Sequence, residues 1–136
     1  MGIVPTMADA VFWDNSLWFP AREFNAVCRY DLKDNIINWV SCFPGEDASL
    51  RIGHRRCFFV DRKIYFIPFH TKQISIYDMK NGSFETIPFQ ELVTDACQIG
   101  SKIYIFCLIQ KHRLYELNCL LARDEALGGL FCRELA

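Results

Sequence analysis

The chain lacks an excess of charge of either sign: 15 Lys and Arg stand against 16 Asp and Glu over 136 residues, a formal net charge of −1. That balance removes the broad electrostatic attraction that draws a protein to nucleic acid or to an anionic membrane surface. No apolar run approaches the roughly 18–20 residues of a membrane span. The opening residues Met1 to Met7 carry no basic stretch and no long apolar run, so they do not predict a secretion signal, and Pro5 interrupts the Met1-Gly2…Thr6 pattern of a myristoylation signal. Seven cysteines occur, at 28, 42, 57, 97, 107, 119 and 132, and no two form a C-x-x-C pair. Zinc ribbons and thiol redox motifs need such close pairs. A Gly-rich phosphate loop, a G-x-S-x-G elbow and a paired acidic motif are also missing.

What is present is apolar and aromatic: 51% of the residues are hydrophobic and 15% aromatic. That is enough for the core of one domain, and the length leaves little room for a second. Most cysteines stand among apolar neighbours, as in Cys57-Phe58-Phe59 and Phe106-Cys107-Leu108. They read as small buried hydrophobes of a reducing, cytoplasmic setting.

The strongest pattern is an internal repeat. Val11 to Pro20, Phe58 to Ile67 and Cys97 to Phe106 each consist of an apolar run, a short polar turn and an aliphatic-aromatic run. Downstream, Tyr30-Asp31-Leu32 aligns with Tyr77-Asp78-Met79 and with Tyr115-Glu116-Leu117. Leu17 to Ile64 is 47 residues and Ile64 to Ile103 is 39, the difference lying in the long connector from Ser41 to Arg56. Insertions in repeats map to such loops. Each unit reads as four short strands, A to D, rich in β-branched and aromatic residues and separated by Asp, Asn, Gly and Lys turns. Strand B of the second unit, Ile64-Tyr65-Phe66-Ile67, is apolar on both faces and so must be covered on both. No helical stripe of useful length precedes residue 118.

Four-stranded units of this period, stacked face to face, are the blades of a β-propeller. Over residues 8–118 the repeats resemble kelch-like and related propeller repeats in period and in their aromatic B strands. They lack the paired glycines of the kelch family, with only Gly100 near that place, and no Trp-Asp pair closes a strand, since Trp13-Asp14 falls at an A–B turn. The resemblance therefore implies the architecture and no named subfamily. The expected fold is all-β: a partial propeller of about three antiparallel blades, at about 8–44, 54–90 and 94–118. In the tail, 119–136, Asn118 is placed to cap a short helix of Leu, Ala, Arg and Glu that Gly128 ends. A closed propeller needs about four to eight blades. Three blades imply completion of the ring by a second copy or by the rest of a longer chain, or else a sheet stack curled into a compact sandwich.

In such a blade the A–B and C–D turns lie on one rim and the B–C and D–A connections on the other. The second rim is chemically richer, and function concentrates on loops held by a rigid scaffold. Arg22, His54, Arg55, Arg56, His70 and Lys72 lie there and form the candidate surface for an anionic or polyhydroxylated ligand, arginine being suited to bidentate carboxylate or phosphate recognition. Solvated loop charges paired with Glu23, Glu46 or Asp47 are the alternative use of the same residues. His70 and His112 stand at different offsets from the repeat tyrosines, so the spacing predicts no metal site. Cys57 with His54 has no thiolate-stabilising context and predicts no nucleophile. The expected function is a non-enzymatic binding or scaffold module for a protein or polar ligand, with no cofactor and no catalytic residues. A propeller enzyme or lectin acting on glycans, and a propeller fragment without independent function, are the competing readings.

Overall fold

A computed structural model describes residues 5–47, 49–109, 111–119 and 132–135. These form three four-stranded antiparallel sheets. The first holds β1 (Val11–Trp13), β2 (Ser16–Pro20), β3 (Val27–Asp31) and β4 (Ile36–Ser41). The second holds β5 (His54–Val60), β6 (Lys63–Pro68), β7 (Gln73–Asp78) and β8 (Phe84–Pro88). The third holds β9 (Val93–Ile99), β10 (Lys102–Ile109), β11 (Lys111–Asn118) and β12 (Cys132–Glu134). Within each sheet the strands follow chain order, and the first strands of successive sheets touch: β1 meets β5, and β5 meets β9.

Local chemistry sets the hairpins. Trp13 pairs with Ser16 across Asp14-Asn15, and Val60 pairs with Lys63 across Asp61-Arg62; all four turn residues take positive φ. Two such residues match the right-handed twist of the flanking strands. The C–D turns of sheets one and two are copies of each other. Asp31 Oδ1 accepts the Lys33 and Asp34 amides, at 2.9 and 3.2 Å, and Asp78 Oδ1 accepts the Lys80 amide at 2.8 Å. Asn35 and Gly82 close these turns at φ 55° and 71°. The Tyr-acid motif is thus a turn device: the aspartate caps the turn, and the Tyr30 hydroxyl donates to Asn35 Oδ1 at 3.0 Å.

The third repeat departs from the sequence alignment. Leu17 pairs with Tyr30 and Ile64 with Tyr77, but Ile103 pairs with Leu117, while Tyr115 lies opposite Ile105. The register-equivalent residues are Tyr30, Tyr77 and Leu117, followed by Asp31, Asp78 and Asn118. The cause is the B–C connection: β10 and β11 remain paired out to Ile109 and Lys111, so the hairpin is longer and its landmarks shift by two. The third sheet also gains a fourth strand, Cys132–Glu134, beyond residue 118, where the aligned repeat ends. Tyr115, Glu116 and Leu117 on β11 pair with it and so complete the backbone hydrogen bonding of that edge. The helix expected over 119–129 lies outside the described residues.

The core lies between sheets. Ile64 and Phe66 of β6 pack toward sheet one with Val11, Trp18, Val27 and Phe43, while Tyr65 and Ile67 of the same strand pack toward sheet three with Ile103, Ile105 and Leu117. The doubly apolar B strand is therefore covered on both faces, as its composition required.

Candidate functional site

The B–C and D–A rim is built by three segments tied together through their backbones: the loop at 21–26, the connector at 42–53 and the loop at 69–72. Asn25 is the fastener between the first two. Its Nδ2 donates to the carbonyls of Phe43 (3.1 Å) and Glu46 (3.2 Å), and its Oδ1 accepts the Phe43 amide at 2.7 Å. The Ile52 amide donates to the Arg22 carbonyl at 2.7 Å, while the Phe69 amide donates to the Gly53 carbonyl at 2.7 Å and the His70 amide to the Ile52 carbonyl at 3.2 Å. These bonds hold Ile52 at φ 50°, where a β-branched residue is rarely found.

Beneath the connector lies a buried polar knot. Glu46 Oε1 accepts from His54 Nε2 at 2.9 Å, Thr71 Oγ1 at 2.9 Å and Gln73 Nε2 at 3.1 Å. The side chains of His54 and Glu46 are 1% and 4% exposed. Burial pushes the Glu46 carboxyl up, but the hydrogen bonds from His54, Thr71 and Gln73 and the attraction of His54 together carry it below the ordinary glutamate value. The Phe43 ring lies 4.1 Å from the His54 ring and shields the pair.

Beside the knot a cavity of about 490 Å³ opens at the start of β5, lined by Arg22, Ile52, Arg55, Arg56, Phe69 and Asp95 among others. Arg22 comes from the B–C loop of sheet one, Arg55 and Arg56 from the first strand of sheet two, and Asp95 from the first strand of sheet three. Arg56 Nε stands 3.6 Å from Asp9 and 3.7 Å from Asp95, ion-pair distances too long for hydrogen bonds. Asp9 in turn accepts the Cys57 amide at 3.0 Å. One arginine on β5 therefore links the segment leading into β1 with the first strand of sheet three. The Arg55 guanidinium sits 5.3 Å from the Phe69 ring centroid, within cation–π range.

Of the six residues singled out from the sequence, Arg22, Arg55 and Arg56 converge on this cavity. His54 does not: it points inward from β5 and belongs to the Glu46 knot, while the irregularity in the β5–β6 pairing between His54 and Arg56 breaks the strand alternation and lets the adjacent Arg55 and Arg56 both reach the cavity. His70 is exposed, with Nδ1–H donating to the Arg51 carbonyl at 2.7 Å, and Lys72 is exposed on the same loop; neither is among the cavity-lining residues given above. Sequence reasoning missed Asp9, Ile52, Phe69 and Asp95. They come from four separate segments and carry no linear signal. Among the described residues no cluster of three His, Cys, Asp or Glu side chains is arranged to hold a metal ion.

Four-stranded meanders stacked face to face with their first strands adjacent are propeller blades, and this chain forms three of them. The Nup159 N-terminal domain, one of the solved structures it resembles, is of that class. The N-terminal domain of Nup159 superposes with a TM-score of 0.58 at 16% identity, over 93% of this chain and 30% of that one. A chain of an S. cerevisiae complex, in which Dbp5 is bound to Nup159, Gle1, IP6 and ADP, matches equally well: TM-score 0.58, 16% identity, 93% and 30% coverage. The computationally designed protein Ika4 gives a TM-score of 0.62 at 11% identity, over 96% of this chain and 72% of that one. At these identities the likeness is one of fold, and the chain spans about three tenths of the Nup159 domain. No family model and no curated protein matches the sequence, so the likeness to kelch repeats extends to the propeller architecture alone.

Proposed function

We propose that this chain is part of a non-enzymatic propeller that binds a protein partner through the B–C and D–A rim. The observation that carries this reading is the convergence of Arg22, Arg55 and Arg56 on one cavity at that rim, on backbone segments cross-tied by hydrogen bonds. A rigid scaffold presenting arginine beside aromatic and aliphatic surface is the composition of a protein-recognition patch. The neighbouring Nup159 domain occurs in a structure with Dbp5 bound to Nup159, which favours a protein over a small substrate as the partner of this one. The test is quantitative capture of partners by the wild type and by a double variant, Arg22→Ala with Arg55→Ala. Loss of specific partners from the variant supports the reading, and an identical set on both removes the rim from it. Turnover of a glycan substrate would move the assignment to an enzyme.

A second feature concerns ring completion. Phe59, Ile64, Tyr77 and Phe84 form a row across sheet two that packs under sheet one. The register-equivalent row in sheet one is Phe12, Leu17, Tyr30 and Ile37. Phe12 there is 61% exposed, and Trp39 on the same face is 58% exposed. The same row that is buried beneath a preceding blade in sheet two is open in sheet one. We propose that a further blade covers it, supplied by a second copy or by additional chain.

A further inference from the structure

The three cavity arginines differ in electrostatic state. Arg56 lies between Asp9 and Asp95, at 3.6 and 3.7 Å, so its charge is offset within the fold. Arg22 and Arg55 have no carboxylate at ion-pair distance among the described residues. The Glu23 carboxylate feels the Arg22 charge but is not at ion-pair distance from it and is turned to Thr6, whose amide donates to it at 2.7 Å and whose hydroxyl also donates. Arg55 has only the Phe69 ring, at 5.3 Å. Two guanidinium groups with no carboxylate at ion-pair distance among the described residues therefore share one cavity wall.

The rest of the lining narrows the ligand. Ile52 and Phe69 are apolar, and the volume of about 490 Å³ is far larger than a lone phosphate or carboxylate. Ile52 is locked by the bond from its amide to the Arg22 carbonyl at 2.7 Å, so its strained backbone and the Arg22 backbone are positioned together. Asp95 contributes a negative charge on the side toward sheet three, unfavourable to a ligand carrying many anionic groups. The wall thus combines anion recognition at one end with apolar surface beside it.

We propose that this cavity binds an acidic peptide segment of the partner, seating one Glu or Asp carboxylate between Arg22 and Arg55 and a neighbouring apolar side chain against Ile52 and Phe69. This rests on the rim being the binding surface. The guanidinium fork gives paired hydrogen bonds to a carboxylate, and the Phe69 ring holds the Arg55 fork in place. Arg56 is a positioning residue, holding the inner strands on which Arg55 and Asp95 sit.

The test uses fluorescence anisotropy with a labelled peptide of alternating Glu and Phe, and the same peptide with Gln in place of Glu. The Glu peptide is expected to bind about tenfold or more tightly than the Gln peptide, the value of one charge-assisted interaction. Arg22→Gln and Arg55→Gln each weaken it about tenfold, Arg55→Lys weakens it less, and Lys33→Gln on the opposite rim leaves it unchanged. Thermal unfolding confirms that each variant is folded. Equal binding of the Gln peptide, or full displacement of the Glu peptide by an equal concentration of inorganic phosphate, overturns the proposal. If partners are lost from the Arg22→Ala, Arg55→Ala variant while the Glu peptide does not bind, the rim reading stands and the acidic-peptide proposal falls. If no partner is lost from that variant and the Glu peptide does not bind, both fall.

Discussion

Replacing Glu46 with alanine tests the account of the rim at its base. The substitution removes the acceptor of three hydrogen bonds, from His54, Thr71 and Gln73. Their losses are unequal. Gln73 Nε2 also donates to the Pro44 carbonyl at 2.8 Å, and the Thr71 hydroxyl is free to rotate. His54 is left beneath Phe43 with its side chain 1% exposed and its Nδ1 already without a hydrogen bond. A buried polar group stranded in this way costs about 1–3 kcal/mol, and breaking a buried pair by removing one partner costs about 3–5 kcal/mol. The expected loss is about 3 kcal/mol, a large part of the roughly 5–15 kcal/mol that holds a domain folded. Urea unfolding followed by the fluorescence of Trp13, Trp18 and Trp39 measures it. Glu46→Gln keeps an amide oxygen as acceptor and should cost about 1–2 kcal/mol, so it supplies the value if the alanine variant does not fold. The pH dependence follows from the lowered carboxyl of Glu46. Below the ordinary value of 4.5 the unfolded chain takes up the proton first, so the contribution is complete above that pH and fades as pH falls through the lower folded value. The stability gap between wild type and Glu46→Gln should narrow over that acidic range. A loss below about 1 kcal/mol for Glu46→Ala, or a gap that widens on acidification, is incompatible with a buried, hydrogen-bonded Glu46–His54 pair.

Three further outcomes are expected. Arg62 is exposed and holds φ 61° in the A–B turn of sheet two, so Arg62→Gly should relieve about 1 kcal/mol and raise Tm by about 3–5 °C; an unchanged or lower Tm in a calorimetric scan contradicts the turn geometry. Iodoacetamide at neutral pH should modify Cys42 and Cys97 first, as mass spectrometry of the native protein would record, because both are exposed. Burial pushes the Cys28, Cys107 and Cys119 thiols up to about 11 and raises Cys57 as well, so early labelling of these four would count against the packing. If a second copy supplies the covering blade, light scattering of the chain alone gives the mass of two or more copies, reduced to one by Phe12→Ser with Trp39→Ser; a single-chain mass for the wild type excludes closure by a second copy and leaves additional chain.

Much of the fold is legible because its determinants are local. Asp14-Asn15 and Asp61-Arg62 are short polar interruptions between apolar runs and so mark the hairpin turns, and the apolar run Ile64-Tyr65-Phe66-Ile67 demands cover on both sides whatever its neighbours. The third repeat shows where this ends. Tyr115-Glu116 imitates the Tyr-Asp motif of the other two, yet Asn118 stands at the register position of Asp31 and Asp78, because the length of the β10–β11 hairpin sets register and composition does not. His54, Arg55 and Arg56 adjoin in sequence but do not share one site: the irregular β5–β6 pairing between His54 and Arg56 leaves His54 in the knot and puts both arginines in the cavity, a local break in strand geometry that no residue pattern announces.

The division between the two levels is one of range. Turn residues, two-residue alternation and a 39- to 47-residue period act over a few bonds or repeat along the chain, and by themselves they indicated two complete β-meander blades and the first three strands of a third, whose fourth strand, Cys132–Glu134, only the structure places. Which side chains meet is decided by pairs far apart in sequence: Asp9 with Arg56, Arg56 with Asp95, Glu46 with Gln73 and the Arg22 carbonyl with Ile52. Electrostatic attraction and hydrogen bonding act through space and weaken steeply with distance, so only the stacking of the blades brings those groups close enough to interact.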